Sequence, residues 1–194
     1  GSEGMGTDLV SPGEIYTAKS VCFDMTKTIF HGNNKTDADM EYAIKSGVGY
    51  FCTDTFEEIE ALDTIAGKLG VKQNVLLRIT PGIDAHTHKA VVTGNVDSKF
   101  GFPVFSGDAV YAAKLVLSKK NLTLKGIHCH IGSQITELTP FLDAADVMVE
   151  FIKQTGIDFE IINLGGGFGV AYKEGDTPVD IAFGVKSVCG HIKE

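Results

Sequence analysis

The sequence predicts an α/β chain built as part of a parallel β/α barrel, and three observations carry that expectation. Short β-rich runs alternate with amphipathic helical stretches along the 194 residues, the succession that gives a parallel sheet with helices outside it. Val75-Leu76-Leu77-Arg78-Ile79 is almost continuous in apolar residues, as a strand buried on both faces should be. His31, Arg78, His130 and Gly165, the residues least suited to a core, fall at the C-terminal ends of the expected strands. A barrel places its chemistry there. A doubly wound open sheet fits the same alternation and is the alternative.

Each element has its own signal. Residues 7–10 end a strand, and Ser11-Pro12-Gly13-Glu14 opens a helix with Ser11 as cap and Glu14 at the reciprocal position. Residues 28–31 make the next strand, followed by a helix through Met40, Ala43 and Ile44 that Gly47 closes. Residues 49–53 are the third strand. Its helix starts at Thr55 with Glu58 as capping partner and turns Phe56, Ile59, Leu62, Ile65, Ala66 and Leu69 inward.

After the strand at 75–79 comes a loop over 81–106, too long for a plain connector and therefore suspected of function. A helix through Val110, Ala113 and Leu117 leads to a strand over 124–130. Thr139 reads as a cap with Pro140 at the first helical position, opening a helix with Phe141, Ala144, Ala145, Met148, Phe151 and Ile152 inward. Residues 160–164 form the sixth strand, and a helix over 179–192 follows. A closed barrel of this type takes eight strands. With about six βα units, the chain is expected to be an incomplete (β/α)8 barrel, one partial domain over 1–194 and a piece of something longer.

Composition removes several classes of function. A net charge of −8 and a pI near 5.2 argue against nucleic acid or an anionic membrane as partner. No Lys/Arg-led apolar start and no long uncharged apolar run is present, so neither a signal peptide nor a membrane span is expected. Cys22, Cys52, Cys129 and Cys189 are widely spaced and suggest reduced thiols in a cytoplasmic protein, not a disulfide framework.

Two runs carry the chemistry: Gly126-Ile127-His128-Cys129-His130-Ile131-Gly132-Ser133-Gln134 and Asn163-Leu164-Gly165-Gly166-Gly167-Phe168-Gly169. Each ends an apolar strand. Backbone amides freed by glycines, a hydroxyl and an imidazole suit a phosphate-bearing aromatic cofactor, and the pair reads as a pyridoxal-phosphate site. His128 and His130 share a face, which is the barrel interior if Cys129 faces the helices. They could equally be two satisfied interior histidines or part of a metal site, for which His86 and His88 supply a second His-x-His. Three glycines could also be no more than a turn. Arg78 needs a partner if buried, and Asp8 is the natural candidate. Glu14 is most cheaply explained as a capping carboxylate. The runs at 31–35 and 97–101 could line a pocket, close a lid or simply turn.

With these residues assembled, the chain resembles the pyridoxal-phosphate-dependent amino-acid decarboxylases that pair an alanine-racemase-like barrel with a β domain. The likeness runs through 4–18, 30–35, 77–84, 97–102, 126–134 and 163–169. The His-Gly-Asn-Asn-Lys and His-Cys-His-Ile-Gly-Ser-Gln runs are those of the diaminopimelate branch. Ornithine and arginine decarboxylases, a related alternative, are alike in the histidine and glycine motifs and less so elsewhere. The resemblance implies that His130 stacks on the cofactor ring and that Ser133 binds its phosphate. Gly165, Gly166 and Gly167 would line the phosphate, Arg78 would lie beside the ring, and Asp8 and Glu14 would neighbour the Schiff-base lysine. It implies no metal.

The implied reaction is loss of carbon dioxide from the D-centre of meso-2,6-diaminopimelate to give L-lysine, the last step of lysine biosynthesis, in a homodimer. No residue of this chain matches the family's Schiff-base lysine, its Glu-Pro-Gly-Arg segment or its C-terminal β domain. The chain alone is therefore expected to be inactive. The alternatives are a truncated homologue that binds and regulates an active partner, a single-domain racemase or cofactor carrier, and a metal hydrolase.

Overall fold

A computed structural model describes residues 3–83, 99–175 and 177–193. The elements in order are β1 (Thr7–Leu9), α1 (Pro12–Ser20), β2 (Thr28–Phe30), α2 (Asp37–Lys45), β3 (Tyr50–Thr53), α3 (Phe56–Leu69) and β4 (Gln73–Thr80). They continue with β5 (Phe102–Pro103), α4 (Asp108–Ser118), β6 (Leu122–His128), α5 (Thr139–Thr155), β7 (Ile161–Asn163) and α6 (Ile181–Lys193). The strands run β1-β2-β3-β4-β6-β7 across one sheet, every pairing parallel. Chain order equals spatial order, so this is the arc of a barrel wall. A doubly wound sheet would reverse direction from its first strand.

β5 was not foreseen. It lies in the stretch read as loop and adds to β4 through Ile79↔Phe102 and Thr80↔Pro103. Two residues give no readable alternation, so no sequence pattern could announce it.

Alternate residues of the strands pack outward on the helices. Phe30, Phe51 and Val75 are registered neighbours, are essentially fully buried, and join Ile15, Ala43, Ile59, Leu62, Ala113 and Met148 in the main core. A smaller core under α5 and α6 joins Ile135, Phe141, Ala145 and Val188. There the Phe141 and Phe168 rings stack with centroids 4.3 Å apart.

The helix starts at α1 and α3 carry the expected Ser11 and Thr55 caps, with differences in detail. Thr36 and Asp39 form a full capping box on α2. At α1 and α3 the capping carboxylates reach one residue further back. Glu14 Oε2 accepts from Val10 N–H at 2.6 Å, and Glu58 Oε2 accepts from Asp54 N–H at 2.9 Å. At α5 the expected Thr139 cap does not form. Leu138 already has helical dihedrals, so the helix begins at Thr139 with no side-chain cap and Pro140 in its first turn. Leu138 packs against the smaller core, and that burial, not a hydroxyl, sets the entry.

One irregularity decides what faces inward. Val75 pairs Leu124, yet Leu76 pairs Gly126, so Lys125 is an extra residue in β6. Without it, the period of two would turn Ile127 inward and His128 toward the helices. With it, Arg78↔His128↔Asn163 form one inward row. Gly126 is required here, since a Cβ would stand 2.2 Å from the carbonyl oxygen of Ile161. No helix among the described residues is long and apolar enough to cross a membrane.

Candidate active site

The C-terminal ends of the strands converge on two groups of polar side chains. The first surrounds Arg78. Its Nη1 stands 3.7 Å from Asp54 Oδ1, and its guanidinium carbon lies 4.2 Å from the centroid of the Phe100 ring. The expected partner, Asp8, is engaged elsewhere. Asp54 follows β3 directly, beside β4, whereas Asp8 is three strands away.

Asp54 belongs to a buried ionic chain that sequence reasoning missed. Lys35 Nζ is 2.6 Å from Glu58 Oε1 and 3.9 Å from Asp54 Oδ2, and the side chains of Lys35 and Asp54 are 2% and 0% exposed. The Lys35 ammonium also donates to the carbonyls of Gly32 and Cys52. Burial raises the pKa values of Asp54 and Glu58, and Lys35 opposes that shift in both. The signal available in the sequence was an Asp at the end of a strand and a Glu four residues on. A cap accounts for that Glu without any site.

The Asp54 carboxylate meets the cations of Lys35 and Arg78 and the backbone of Gly101, whereas Nδ1 of His128 has no hydrogen-bond partner among the described residues. Orphaned polar atoms in a buried place usually await a ligand or water.

The second group is Asp8, His31 and His128. His31 Nε2 is 3.3 Å from Asp8 Oδ1, a contact short of a well-formed hydrogen bond. The His31 contact, foremost, holds the Asp8 carboxyl below its ordinary range. The His31 and His128 rings meet edge to face with centroids 4.7 Å apart. Burial, above all, pushes His128 down to about 3, so its ring is neutral near pH 7. Burial and the Arg78 charge also lower the pKa of His130, which sits exposed at the rim. Cys129 faces the helices in the main core, as the alternation requires for two inward histidines.

His130 and Arg78 line one cavity of about 260 Å3 with Thr80, Phe100, Ile131 and Gly132. The glycine run closes beside it. Gly165 and Gly167 have φ of +72° and +105°, and a Cβ on them would stand 2.6 Å from Cys129 O and 2.0 Å from Gly132 O. The two motifs are knitted by Ile135 N–H to Gly167 O at 2.8 Å and Gly169 N–H to Ile135 O at 2.7 Å. A Cβ on Gly166 would meet nothing within 4 Å. The turn is therefore open at Gly166, and its neighbour Gly167 packs against Gly132 and Ser133, the latter exposed. A flat neutral imidazole, a guanidinium and an open glycine turn fit a phosphorylated aromatic ring.

Glu14 is exposed at the start of α1 with its carboxylate on Val10 N–H. Among the described residues it makes no hydrogen bond or ion pair with Arg78, His128 or His130. His86, His88 and the first part of the 97–101 run lie outside the described residues.

Fold and rim together define a cofactor-binding β/α barrel, and the chain belongs to the pyridoxal-dependent decarboxylases: residues 1–194 match that family's pyridoxal binding domain. Among curated proteins it is 44% identical over 191 residues to diaminopimelate decarboxylase of Staphylococcus aureus (98% of this chain, 45% of the relative). It is 42% identical over 196 residues to that of Bacillus methanolicus (99% of this chain, 45% of the relative). Among solved structures, diaminopimelate decarboxylase from M. jannaschii in co-complex with L-lysine superposes with a TM-score of 0.88 at 34% identity, covering 99% of this chain and 46% of that one. The chain spans about half the length of the curated relatives it matches.

Proposed function

We propose that this chain is the cofactor-binding barrel part of a diaminopimelate decarboxylase, a cytoplasmic homodimeric enzyme. It removes carbon dioxide from the D-centre of meso-2,6-diaminopimelate and leaves L-lysine. The observation that carries the reading is the meeting of Arg78 and His130 across one cavity beside the Gly165–Gly167 turn. Diaminopimelate decarboxylase relatives at about 40% identity support the substrate.

Each residue has a stated task. His130 offers the flat face of a neutral ring to the pyridine of pyridoxal phosphate. Ser133 donates its hydroxyl to the phosphate, and the amides of the turn at Gly165, Gly166 and Gly167 add donors where an open backbone allows close approach. Arg78 keeps a positive charge at the ring, held by Asp54 below and Phe100 beside it. Asp8, kept ionised by its neighbours, holds a negative charge at the end of β1 for the cofactor-bearing lysine. Glu14 stays a capping group that fixes the start of α1 and so the position of Asp8. When bound, the cofactor serves as electron sink for the carbanion that decarboxylation leaves.

The 194 residues alone are proposed to bind the cofactor without turning over. The buried ammonium of Lys35 is committed to Glu58 and two carbonyls, so it cannot reach the rim to carry the cofactor. Titration of the chain with pyridoxal phosphate, followed by quenching of tyrosine fluorescence, should give one saturable site. His130→Ala and Ser133→Ala should each weaken it at least tenfold. Unchanged binding in both variants refutes the site, and lysine formed from diaminopimelate by the chain alone refutes its inactivity.

A further inference from the structure

We propose that His31, Cys52 and His128 form a binding site for a borderline-soft divalent ion such as zinc, with Asp8 as fourth ligand. The three side chains come from the end of β2, from β3 and from the end of β6. Each offers a ligand atom, and all three atoms lie within 4.8 Å of one another. All are enclosed, at 7%, 0% and 3% exposure. Among the described residues His128 Nδ1 has no hydrogen-bond partner, and His31 Nε2 has only its 3.3 Å contact with Asp8. A buried imidazole nitrogen left unsatisfied is costly to keep without an occupant.

The spacing suits a tetrahedral ion. Bonds of about 2.0–2.3 Å place ligand atoms about 3.3–3.8 Å apart. Asp8 Oδ1 stands 3.3 Å from His31 Nε2 but outside the three-residue cluster, so its exposed side chain must turn inward, and the three clustered atoms must close by up to about 1.5 Å. Two imidazoles, a thiol and a carboxylate select zinc or cobalt over magnesium or calcium, which prefer oxygen donors. His128 is neutral near pH 7 and presents a lone pair without losing a proton. Burial pushes the Cys52 thiol up, so it enters protonated. One sulfur–metal bond forms, one S–H bond breaks, and the proton leaves to solvent.

This departs from the expectation of no metal. Spacing paired His128 with His130 on one inward face, but His128 lies deeper, clustered with His31 and Cys52, while His130 is exposed at the rim. The site itself does not rest on the cofactor reading. Its consequence does: an ion here takes Asp8 away from the rim and would make the enzyme metal-inhibited.

The test is a cobalt(II) titration of the reduced chain carrying Cys22→Ser and Cys189→Ser, which removes the two exposed thiols. One equivalent should develop the visible absorption of a four-coordinate site and a sulfur-to-cobalt charge-transfer band, with about one proton released per ion. Added zinc should bleach both. Cys52→Ser should abolish the charge-transfer band, and His128→Gln should keep it while weakening binding at least tenfold. Circular dichroism checks that both variants fold, and proton release is read on the unsubstituted pocket whatever the variants do. No stoichiometric binding, no proton release, or a band that survives Cys52→Ser in a folded chain overturns the proposal. None of these outcomes bears on pyridoxal-phosphate binding, which is measured without metal.

Discussion

Lowering the pH from 7.5 to 5.0 should unload stability through His128. Its folded pKa is pushed to about 3 from an ordinary 6.5, chiefly by burial. The unfolded chain therefore takes the proton first. The contribution of His128 is fully present above about pH 6.5, and it falls as pH drops below that value until the folded group titrates near 3. At pH 5.0 the loss is about 1.5 pH units times 1.36 kcal/mol, or about 2 kcal/mol. That figure does not depend on the folded value so long as it lies well below 5. Asp54 and Glu58, raised by burial, act with the opposite sign, because the folded state takes protons first as their pKa values are approached. The clean quantity is thus the difference between the chain and His128→Gln, whose amide does not titrate. Urea unfolding followed by circular dichroism at both pH values measures it. With a slope of about 2 kcal/mol per molar, the midpoint of the parent should fall about 1 M further than that of the variant. Equal losses, within about 0.5 kcal/mol, would refute a neutral buried His128.

Three further outcomes follow from the packing. Lys35→Met strands the buried Glu58 and Asp54 carboxylates and should cost about 3–5 kcal/mol in urea unfolding at pH 7.5; a loss under about 1 kcal/mol would mean that water satisfies both. Gly167→Ala must adopt φ +105° and bring its Cβ to 2.0 Å from Gly132 O, so it should destabilise by at least about 1–3 kcal/mol. Gly166→Ala meets nothing and should stay within about 0.5 kcal/mol, and equal effects at the two glycines would contradict the described turn. A double-mutant cycle of Arg78→Gln with Phe100→Leu should return a coupling of about 0.5–1 kcal/mol for the cation on its ring, and strict additivity would remove Phe100 from the account.

How far the site could be read from the chain depended on whether its parts are local. The histidine and glycine runs are contiguous at strand ends and Arg78 interrupts an apolar strand, so Arg78, His130, Ser133 and Gly165–Gly167 could all be singled out. The helix caps at Thr55 and Ser11 are contacts within four residues and were expected, while the Thr36 box was not singled out and Leu138 stands where a Thr139 cap was expected. The partner of Arg78 was misassigned to Asp8. Choosing among acidic residues on neighbouring strands needs the register, and Asp54 looks like an ordinary residue before a helix.

The sequence by itself determined the succession of strand and helix, the parallel sheet, the outward apolar faces and the glycine and histidine runs at the rim. Those follow from periodicity and short-range chemistry. Only the tertiary structure decided the β6 irregularity that turns His128 inward, the Glu58–Lys35–Asp54–Arg78 chain and the meeting of His31, Cys52 and His128. Each of these joins residues on different strands, where a shift of one residue in register exchanges the two faces of a strand. No single stretch of the chain encodes that register, because it is set by how all the neighbouring strands and helices pack at once.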